Sequence, residues 1–330
     1  MILLTWWTWF IWSHTAVELI QAGHEVILFD NLVNSADTVV DAIQEITGKK
    51  PTLIKGDLRD EAILEKMFRE HQIEAVIHFA GLKAVWISCE DPFEYYDNNL
   101  IGTINLLRVM DKHNVRKCIF SSSATVYDAS AATAPFAEDA ATGNTTNPYG
   151  TTKFVIEQLL KDMANRKQMN IIALRYFNPV GAHQSGLIGE DPSDIPTNLL
   201  PVIMEVVEGK RQELQIFWDD YDTPDGTCIR DYIHVVDLAQ AHLAAVDALD
   251  DDAWYEIYNV GTGAGTSVSE MVTIVNEVAG VQLAIKHVPR RSWDIAVAVA
   301  QVQKINKDLG REAKLWVKEA VEDAVRARGK

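Results

Sequence analysis

Cysteine, basic residues and long hydrophobic runs are all scarce in this sequence. Only 3 cysteines occur among 330 residues, and their spacing matches no metal site. Lysine and arginine number 30 against 47 aspartates and glutamates, giving a net charge of −17, which argues against binding to nucleic acid or an anionic membrane. The apolar segment 1–12 is too short to cross a bilayer as a helix. We therefore expect a soluble, cytoplasmic protein without a metal site.

Short apolar runs alternate with helical patterns through the first half of the chain. The runs at 2–5, 25–30, 52–55, 75–79, 117–121 and 170–175 predict strands, and the patterns at 13–22, 36–47, 60–70, 91–114 and 148–160 predict helices. This alternation is typical of a parallel sheet with helices on both faces. After residue 178 comes a loop, 179–197, then a helix at 198–208, strands at 214–217 and 229–233, and helices at 236–249, 267–278 and 317–328.

This order of elements predicts an α/β fold in two lobes. Residues 1–178 form a Rossmann-type doubly wound parallel sheet, to which later segments at about 229–260 return. Residues 179–330 mainly form a smaller, mixed α/β substrate lobe. In open sheets of this kind ligands bind at the carboxyl ends of the strands.

Tyr149 and Lys153 are the most informative pair of residues. They follow Pro148, which suits a first helical turn, and their four-residue spacing places both on one helix face. A lysine ammonium beside a phenol lowers the phenol pKa, as a general base requires. The hydroxyl-rich segment 121–125 follows a predicted strand directly. Serine, tyrosine and lysine in this order resemble the catalytic trio of the short-chain dehydrogenase/reductase superfamily, with Ser123 as the residue that contacts the substrate hydroxyl.

Longer motifs resemble one family within that superfamily. DNLVNS at 30–35, VIHFAGLKAV at 76–85, YYDNN at 95–99, LRYFNPVGA at 174–182 and GTCIRDYIHV at 226–235 are similar to the UDP-glucose 4-epimerase family. The resemblance implies an isomerase of galactose metabolism that interconverts UDP-glucose and UDP-galactose. The implied cofactor is tightly held NAD, and the implied intermediate is a 4-keto sugar. A homodimer through helices near 91–114 and 148–166 is implied as well.

The same resemblance implies a role for individual residues. Tyr149 would remove the 4-hydroxyl proton, Lys153 would tune it and hold the nicotinamide ribose, and Ser123 would bond the reacting oxygen. The implied cofactor contacts are Asp30, Asn31, Asn34, Ser35, Asp57, Leu58, Phe79, Ala80, Lys83, Asn98, Tyr149, Lys153 and Tyr176. The implied substrate contacts are Asn178, Asn198, Arg230, Arg291 and Asp294.

Tryptophan stands where the family has glycine in the first turn. Family members read Thr-Gly-Gly-x-Gly-Tyr-Ile-Gly-Ser-His, whereas this chain reads TWWTWFIWSH at 5–14. Those glycines permit a tight turn and a close approach of backbone to pyrophosphate, so indoles there predict obstruction of NAD. The replacements in this turn are Trp6, Trp7, Trp9 and Trp12, and the further ones along the chain are Trp86, Trp218 and Trp293.

Two alternatives to an active epimerase stay open on the sequence. The chain could be an inactive scaffold whose cofactor and substrate pockets are filled by tryptophan. A nucleotide-sugar 4,6-dehydratase is the other, although it needs acidic residues just after Thr125, where Val126 and Tyr127 stand. The choice between UDP-hexose and UDP-N-acetylhexosamine is also open, because the family's size-gating position near Ala298 lies in an altered stretch.

Overall fold

The computed structural model describes residues 1–330 except 6–8, 33–37, 80, 191–195, 197, 251, 292–293 and 330, and at residue 9 it describes the backbone alone. The strands are β1 (Ile2–Thr5), β2 (Val26–Asp30), β3 (Thr52–Lys55), β4 (Ala75–His78), β5 (Lys117–Ser123), β6 (Asn170–Tyr176), β7 (Asn178–Val180), β8 (Leu214–Phe217), β9 (Ile229–Arg230), β10 (Tyr232–His234), β11 (Trp254–Val260), β12 (Thr266–Ser267), β13 (Ile285–Val288) and β14 (Val297–Ala298). The helices are α1 (Trp9–Gln21), α2 (Thr38–Thr47), α3 (Glu61–Glu70), α4 (Val85–Glu90), α5 (Pro92–Tyr96), α6 (Gly102–Lys112), α7 (Pro148–Lys167), α8 (Leu199–Val207), α9 (Val235–Ala248), α10 (Val268–Ala279), α11 (Gln303–Leu309) and α12 (Val317–Arg328). A π-helical turn, Asp97–Ile101, joins α5 to α6, and a 3-10 turn, Ala124–Val126, follows β5.

Seven parallel strands form the main sheet, in the order β11-β6-β5-β4-β1-β2-β3. Side chains that alternate along each strand supply two cores, one on each face: Leu4 packs with α1 and α9, and Leu3 packs with α3, α6 and α7. The sheet order reverses beside β1, where β4 lies on one side and β2 on the other. The predicted doubly wound α/β fold is thereby confirmed, and the polar strand ends meet along one edge.

The smaller lobe has its own core and three short sheets. α8, α10 and α12 pack together with β8 and β10 around buried residues such as Ile203 and Val275. β10 pairs with β7, β13 pairs with β8, and β9 lies between β12 and β14. Among the described residues no helix is long and apolar enough to cross a membrane.

One predicted element is wrong in its continuity. The single strand expected at 229–233 is two strands in different sheets, because Asp231 between them turns its buried carboxylate to Thr262, Gly263 and Ala300. The helix predicted at 91–114 is present as an uninterrupted helical run over 92–112, with the π-helical turn between α5 and α6. Within this turn the Asn99 side chain forms hydrogen bonds with the backbone of Leu82, which lies in a neighbouring loop.

Candidate active site

Ser123, Tyr149 and Lys153 come together where β5 ends and α7 begins. Pro148 starts the helix, and the Asn147 side chain accepts a hydrogen bond from the Gly150 amide at 2.9 Å, which caps it. The Ser123 hydroxyl lies close to the Tyr149 phenol and lowers the pKa of that phenol. Lys153 is buried beneath them, with its Nζ donating to the Ser121 carbonyl at 2.7 Å. The structure thus assembles the trio that the sequence predicted.

The electrostatics of the trio differ from the sequence prediction. Burial raises the pKa of Tyr149 to about 12, and the nearby Ser123 hydroxyl only partly opposes this. Burial also lowers the pKa of Lys153 to about 7, with the charge of Glu157 opposing it. The Lys153 Nζ is 6.0 Å from the Tyr149 ring centre and is bonded elsewhere. The expected lowering of the Tyr149 pKa by Lys153 is therefore wrong for the chain by itself.

The loop that carries Lys83 is fastened to α7 by Asn99. The Asn99 Oδ1 accepts from the Leu82 amide at 2.8 Å, while its Nδ2 donates to the Leu82 carbonyl and to the Thr152 hydroxyl at 3.2 and 3.0 Å. Asn98, its predicted neighbour, is buried in the same π-helical turn. Sequence reasoning missed Asn99, although it belongs to the YYDNN motif.

Predicted adenosine contacts lie at the far end of the same sheet edge. Asp30 ends β2 with a buried carboxylate, and its Oδ1 accepts from the Leu32 amide at 2.5 Å. Leu32 has a φ of 59°, a left-handed conformation that this hydrogen bond helps to hold. Asp57 is paired with Arg59 at 2.7 Å, which keeps the pKa of Asp57 low. Both carboxylates thus lie at or just after the carboxyl ends of neighbouring strands, β2 and β3.

Two other predicted cofactor contacts, Phe79 and Tyr176, flank the buried imidazole of His242. The ring centres lie 4.8 and 6.4 Å from that of His242, so both aromatic rings pack at the carboxyl ends of central strands. Burial raises the pKa of the Tyr176 phenol well above its usual range. Leu58 is buried beside Gly102.

The predicted substrate residues fall into two groups. Arg291 pairs with Asp294 through hydrogen bonds of 2.7 and 3.1 Å, and Arg230 lies 3.7 Å from the same carboxylate. Two guanidinium groups thus lie at one carboxylate, that of Asp294. Asn178 is part of β7, where its amide donates to the Asp231 carbonyl at 3.0 Å.

Asn198 forms the second group. It is connected through Glu190 to Lys83, a predicted cofactor contact. The Asn198 Nδ2 donates to Glu190 Oε1 at 2.8 Å, and the Lys83 Nζ lies 3.5 Å from that oxygen. One carboxylate therefore touches a predicted cofactor residue and a predicted substrate residue. Sequence reasoning missed Glu190, because nothing in the local pattern distinguishes it from a loop carboxylate.

The tryptophans at the predicted glycine positions have unlike environments. Trp12, in α1, is 1% exposed, and its indole belongs to the hydrophobic core that α1 shares with α9. Trp218 is 36% exposed and has a φ of 72°, a backbone conformation that favours glycine. Trp86 is half-buried in α4. Trp6, Trp7, Trp293, Asn34, Ser35, Ala80 and the Trp9 side chain lie outside the described residues.

Comparison with known proteins gives similarities along the whole chain. The profile of the NAD dependent epimerase/dehydratase family matches residues 2–261. UDP-glucose 4-epimerase from Haemophilus influenzae is 48% identical over 98% of this chain and 95% of its own length. A crystal structure of UDP-glucose 4-epimerase from Bifidobacterium longum in complex with NAD+ and UDP is 47% identical, with a TM-score of 0.95 over 100% of this chain and 98% of that one. The UDP-Glc/GlcNAc 4-epimerase from Campylobacter jejuni is 31% identical, with a TM-score of 0.83 over 99% of each chain.

Proposed function

Because this chain belongs to the NAD dependent epimerase/dehydratase family, we propose that it interconverts UDP-glucose and UDP-galactose with NAD as its cofactor. The observation that carries the proposal is the buried trio of Ser123, Tyr149 and Lys153 at the end of β5. Several curated relatives at 44–48% identity are UDP-glucose 4-epimerases. The chain is therefore an isomerase of nucleotide sugars.

The described residues fit a dinucleotide along the sheet edge. The buried Asp30 carboxylate at the end of β2 suits the adenosine ribose, and Lys153 suits the nicotinamide ribose. When bound, oxidised NAD would supply a hydride acceptor and a positive charge that lowers the pKa of Tyr149.

The trio's own chemistry is proton transfer at the sugar 4-hydroxyl. Ser123 holds the reacting oxygen by a hydrogen bond, and Tyr149 takes its proton while the C4 hydrogen leaves as hydride, giving a 4-keto sugar. Rotation of that sugar and the reverse steps, with Tyr149 returning the proton, complete the inversion at C4. Arg230 and Arg291 would hold the UDP diphosphate through bidentate bonds meanwhile.

Bound NAD and turnover test this function together. Purified protein is denatured, released NAD is measured by absorbance, and UDP-galactose conversion is followed by a coupled assay for UDP-glucose. We expect stoichiometric NAD and turnover, with Tyr149→Phe losing about 10²–10⁴-fold in kcat and the exposed-tyrosine control Tyr96→Phe unchanged. Protein that neither holds NAD nor converts the sugar would favour the inactive scaffold, which the relatives named above do not support.

The same assay separates the remaining candidates. A 4,6-dehydratase would accumulate a 4-keto-6-deoxy sugar, whereas an epimerase gives only the two hexoses. UDP-N-acetylglucosamine is offered alongside, because the Campylobacter jejuni relative is named for both sugars. Conversion of both substrates would extend the proposal to N-acetylhexosamines.

We further propose a homodimer through α5, the π-helical turn and α7. Four exposed hydrophobic side chains lie on these neighbouring elements: Phe93, Tyr96, Ile101 and Val155. Phe93 is 86% exposed, which is costly for a monomer in water. A second copy packed against this face would bury all four.

The lobe division and the location complete the proposal. Residues 1–178, with 229–260, would hold the cofactor, since β11 lies in the main sheet and α9 packs on α1. Residues 179–330 would mainly bind the UDP-sugar. The three cysteines are free thiols, which suits a reducing cytoplasm.

A further inference from the structure

Glu157 and Arg175 form a buried ion pair next to the catalytic trio. The Arg175 Nε and Nη2 donate to the two carboxylate oxygens at 2.9 and 2.6 Å, a bidentate arrangement. Their side chains are 1% and 3% exposed. Neither residue has a part in the proton transfer described above.

The pair belongs to a clamp on the strand that ends in Ser123. Lys153 and Glu157 lie four residues apart on one face of α7 and bond consecutive residues of β5. The Lys153 Nζ donates to the Ser121 carbonyl at 2.7 Å, and the Ser122 hydroxyl donates to Glu157 Oε1 at 2.5 Å. The next residue along β5 is Ser123, so both bonds act directly on its position.

Arg175 extends this support to the segment after Ser123. It lies opposite Ser122 in the pairing of β5 with β6. Its guanidinium carbon lies 4.9 Å from the Tyr127 ring centre, and its Nη1 donates to the Glu138 carbonyl at 3.0 Å. The Tyr127 hydroxyl in turn donates to Asn259 Oδ1 at 2.6 Å. The backbone is therefore held on both sides of Ser123.

Stability alone does not account for such a pair. Desolvating two charges offsets most of their attraction, and well-packed hydrophobic replacements of buried ion pairs are often neutral or stabilising. If the pair serves to hold the geometry of the site, hydrophobic replacements should leave the protein folded but lower its kcat. We propose that Glu157 and Arg175 are positioning residues that hold Ser123 and Lys153 in their reactive arrangement; this rests on the proposed epimerase function.

The charge of Glu157 also acts on Lys153. Burial lowers the pKa of Lys153 to about 7, and Glu157 is the neighbour that opposes this shift. Tyr149 and the imidazole of His78, which is neutral because burial lowers its pKa to about 3, face the same ammonium. Loss of the Glu157 charge, with Arg175 still present, should therefore lower the pKa of Lys153 further.

A double replacement separates positioning from folding. Glu157→Leu/Arg175→Met is compared with wild type for urea unfolding, NAD content, kcat and KM for UDP-galactose. We expect a folded protein with an unfolding midpoint near that of wild type, a KM within about threefold and a kcat at least about tenfold lower. The matched control, Glu205→Leu/Arg211→Met, removes an ion pair far along the chain and should keep its kcat. A folded double variant with wild-type kcat would overturn the proposal.

A single replacement covers the case in which the double variant does not fold. Glu157→Gln keeps the side-chain shape and an acceptor for Ser122 but removes the charge. We expect a lower kcat and a lower Lys153 pKa, read from NMR of lysine labelled at Nζ and Cε, with the signal assigned by Lys153→Arg. Unchanged kcat together with unchanged Lys153 pKa refutes the positioning role. If the wild type itself lacks epimerase activity, the proposed function is wrong. The Lys153 pKa in Glu157→Gln then decides on the positioning role: a lowered pKa supports it and an unchanged pKa refutes it.

Discussion

Replacing Trp12 by glycine should weaken the fold, although glycine is what the family resemblance implies at that position. The indole is 1% exposed and packs among the buried residues of α1 and α9. Truncating a buried aromatic side chain costs about 3–5 kcal/mol. Glycine in a helix interior costs about 1 kcal/mol more than alanine. The expected loss is therefore about 4–6 kcal/mol, against a typical total of about 5–15 kcal/mol.

Trp218→Gly should behave differently, since this residue is strained where it stands. Its φ of 72° is a conformation that costs a residue with a Cβ about 1–2 kcal/mol. Its ring is 36% exposed, so truncation sacrifices less packing than at Trp12. Trp218→Ala removes the ring and keeps the strain. We therefore expect Trp218→Gly to be more stable than Trp218→Ala by about 1 kcal/mol.

The assay is urea unfolding followed by circular dichroism on NAD-free protein, because bound cofactor would add stability by mass action. Trp316→Ala, at a side chain that is 53% exposed, serves as a control that should change little. The reasoning is refuted if Trp12→Gly unfolds within about 1 kcal/mol of wild type, which is the scale of an ordinary surface change. The strain argument for Trp218 is refuted if Trp218→Ala and Trp218→Gly have the same free energy of unfolding.

Three further predictions concern acid stability, a buried carboxylate and assembly. Burial lowers the pKa of His14, His78 and His242 to about 3, 3 and 4, so the folded state keeps them neutral while the unfolded state binds protons below about pH 6.5. Stability should therefore be complete above pH 6.5 and fall as pH drops towards 4, by up to about 1.4 kcal/mol per unit for each histidine; a flat urea midpoint between pH 7 and 5 would contradict this. Asp231→Asn should lower the free energy of unfolding in urea by at least about 3 kcal/mol. Both carboxylate oxygens of Asp231 accept hydrogen bonds, and the amide nitrogen of asparagine would face donors at one of those positions. A loss below about 1 kcal/mol would argue against that network. Phe93→Asp should convert a dimer into a monomer in light scattering while leaving the unfolding midpoint of the monomer intact; an unchanged mass speaks against the proposed face.

Local pattern was enough to predict most of the main sheet. β1, β2 and the starts of β4, β5 and β6 follow from apolar runs, since strands buried on both faces must be apolar throughout. β3 was also predicted, although it is an edge strand whose residues are exposed or half-buried. The other edge strand, β11, was missed, and its first four residues are only half-buried. Helix spacing predicted that Tyr149 and Lys153 share one face of α7, but only the hydroxyl-rich segment 121–125 and the family resemblance singled them out as a pair.

Tertiary structure decided the electrostatics and the supports of the site. The sequence predicted a Tyr149 with a lowered pKa, but burial of the phenol outweighs a lysine that is bonded to the Ser121 carbonyl. Arg175 comes from a strand 18 residues after Glu157, and nothing in the spacing indicates that the two meet. That the indole of Trp12 is buried likewise follows only from the packing of distant segments. The sequence by itself determined the fold class, because that rests on local periodicity, while the roles of Ser123, Tyr149 and Lys153 came from the family resemblance. Burial and partners depend on which distant segments pack together, and only the folded chain decides that.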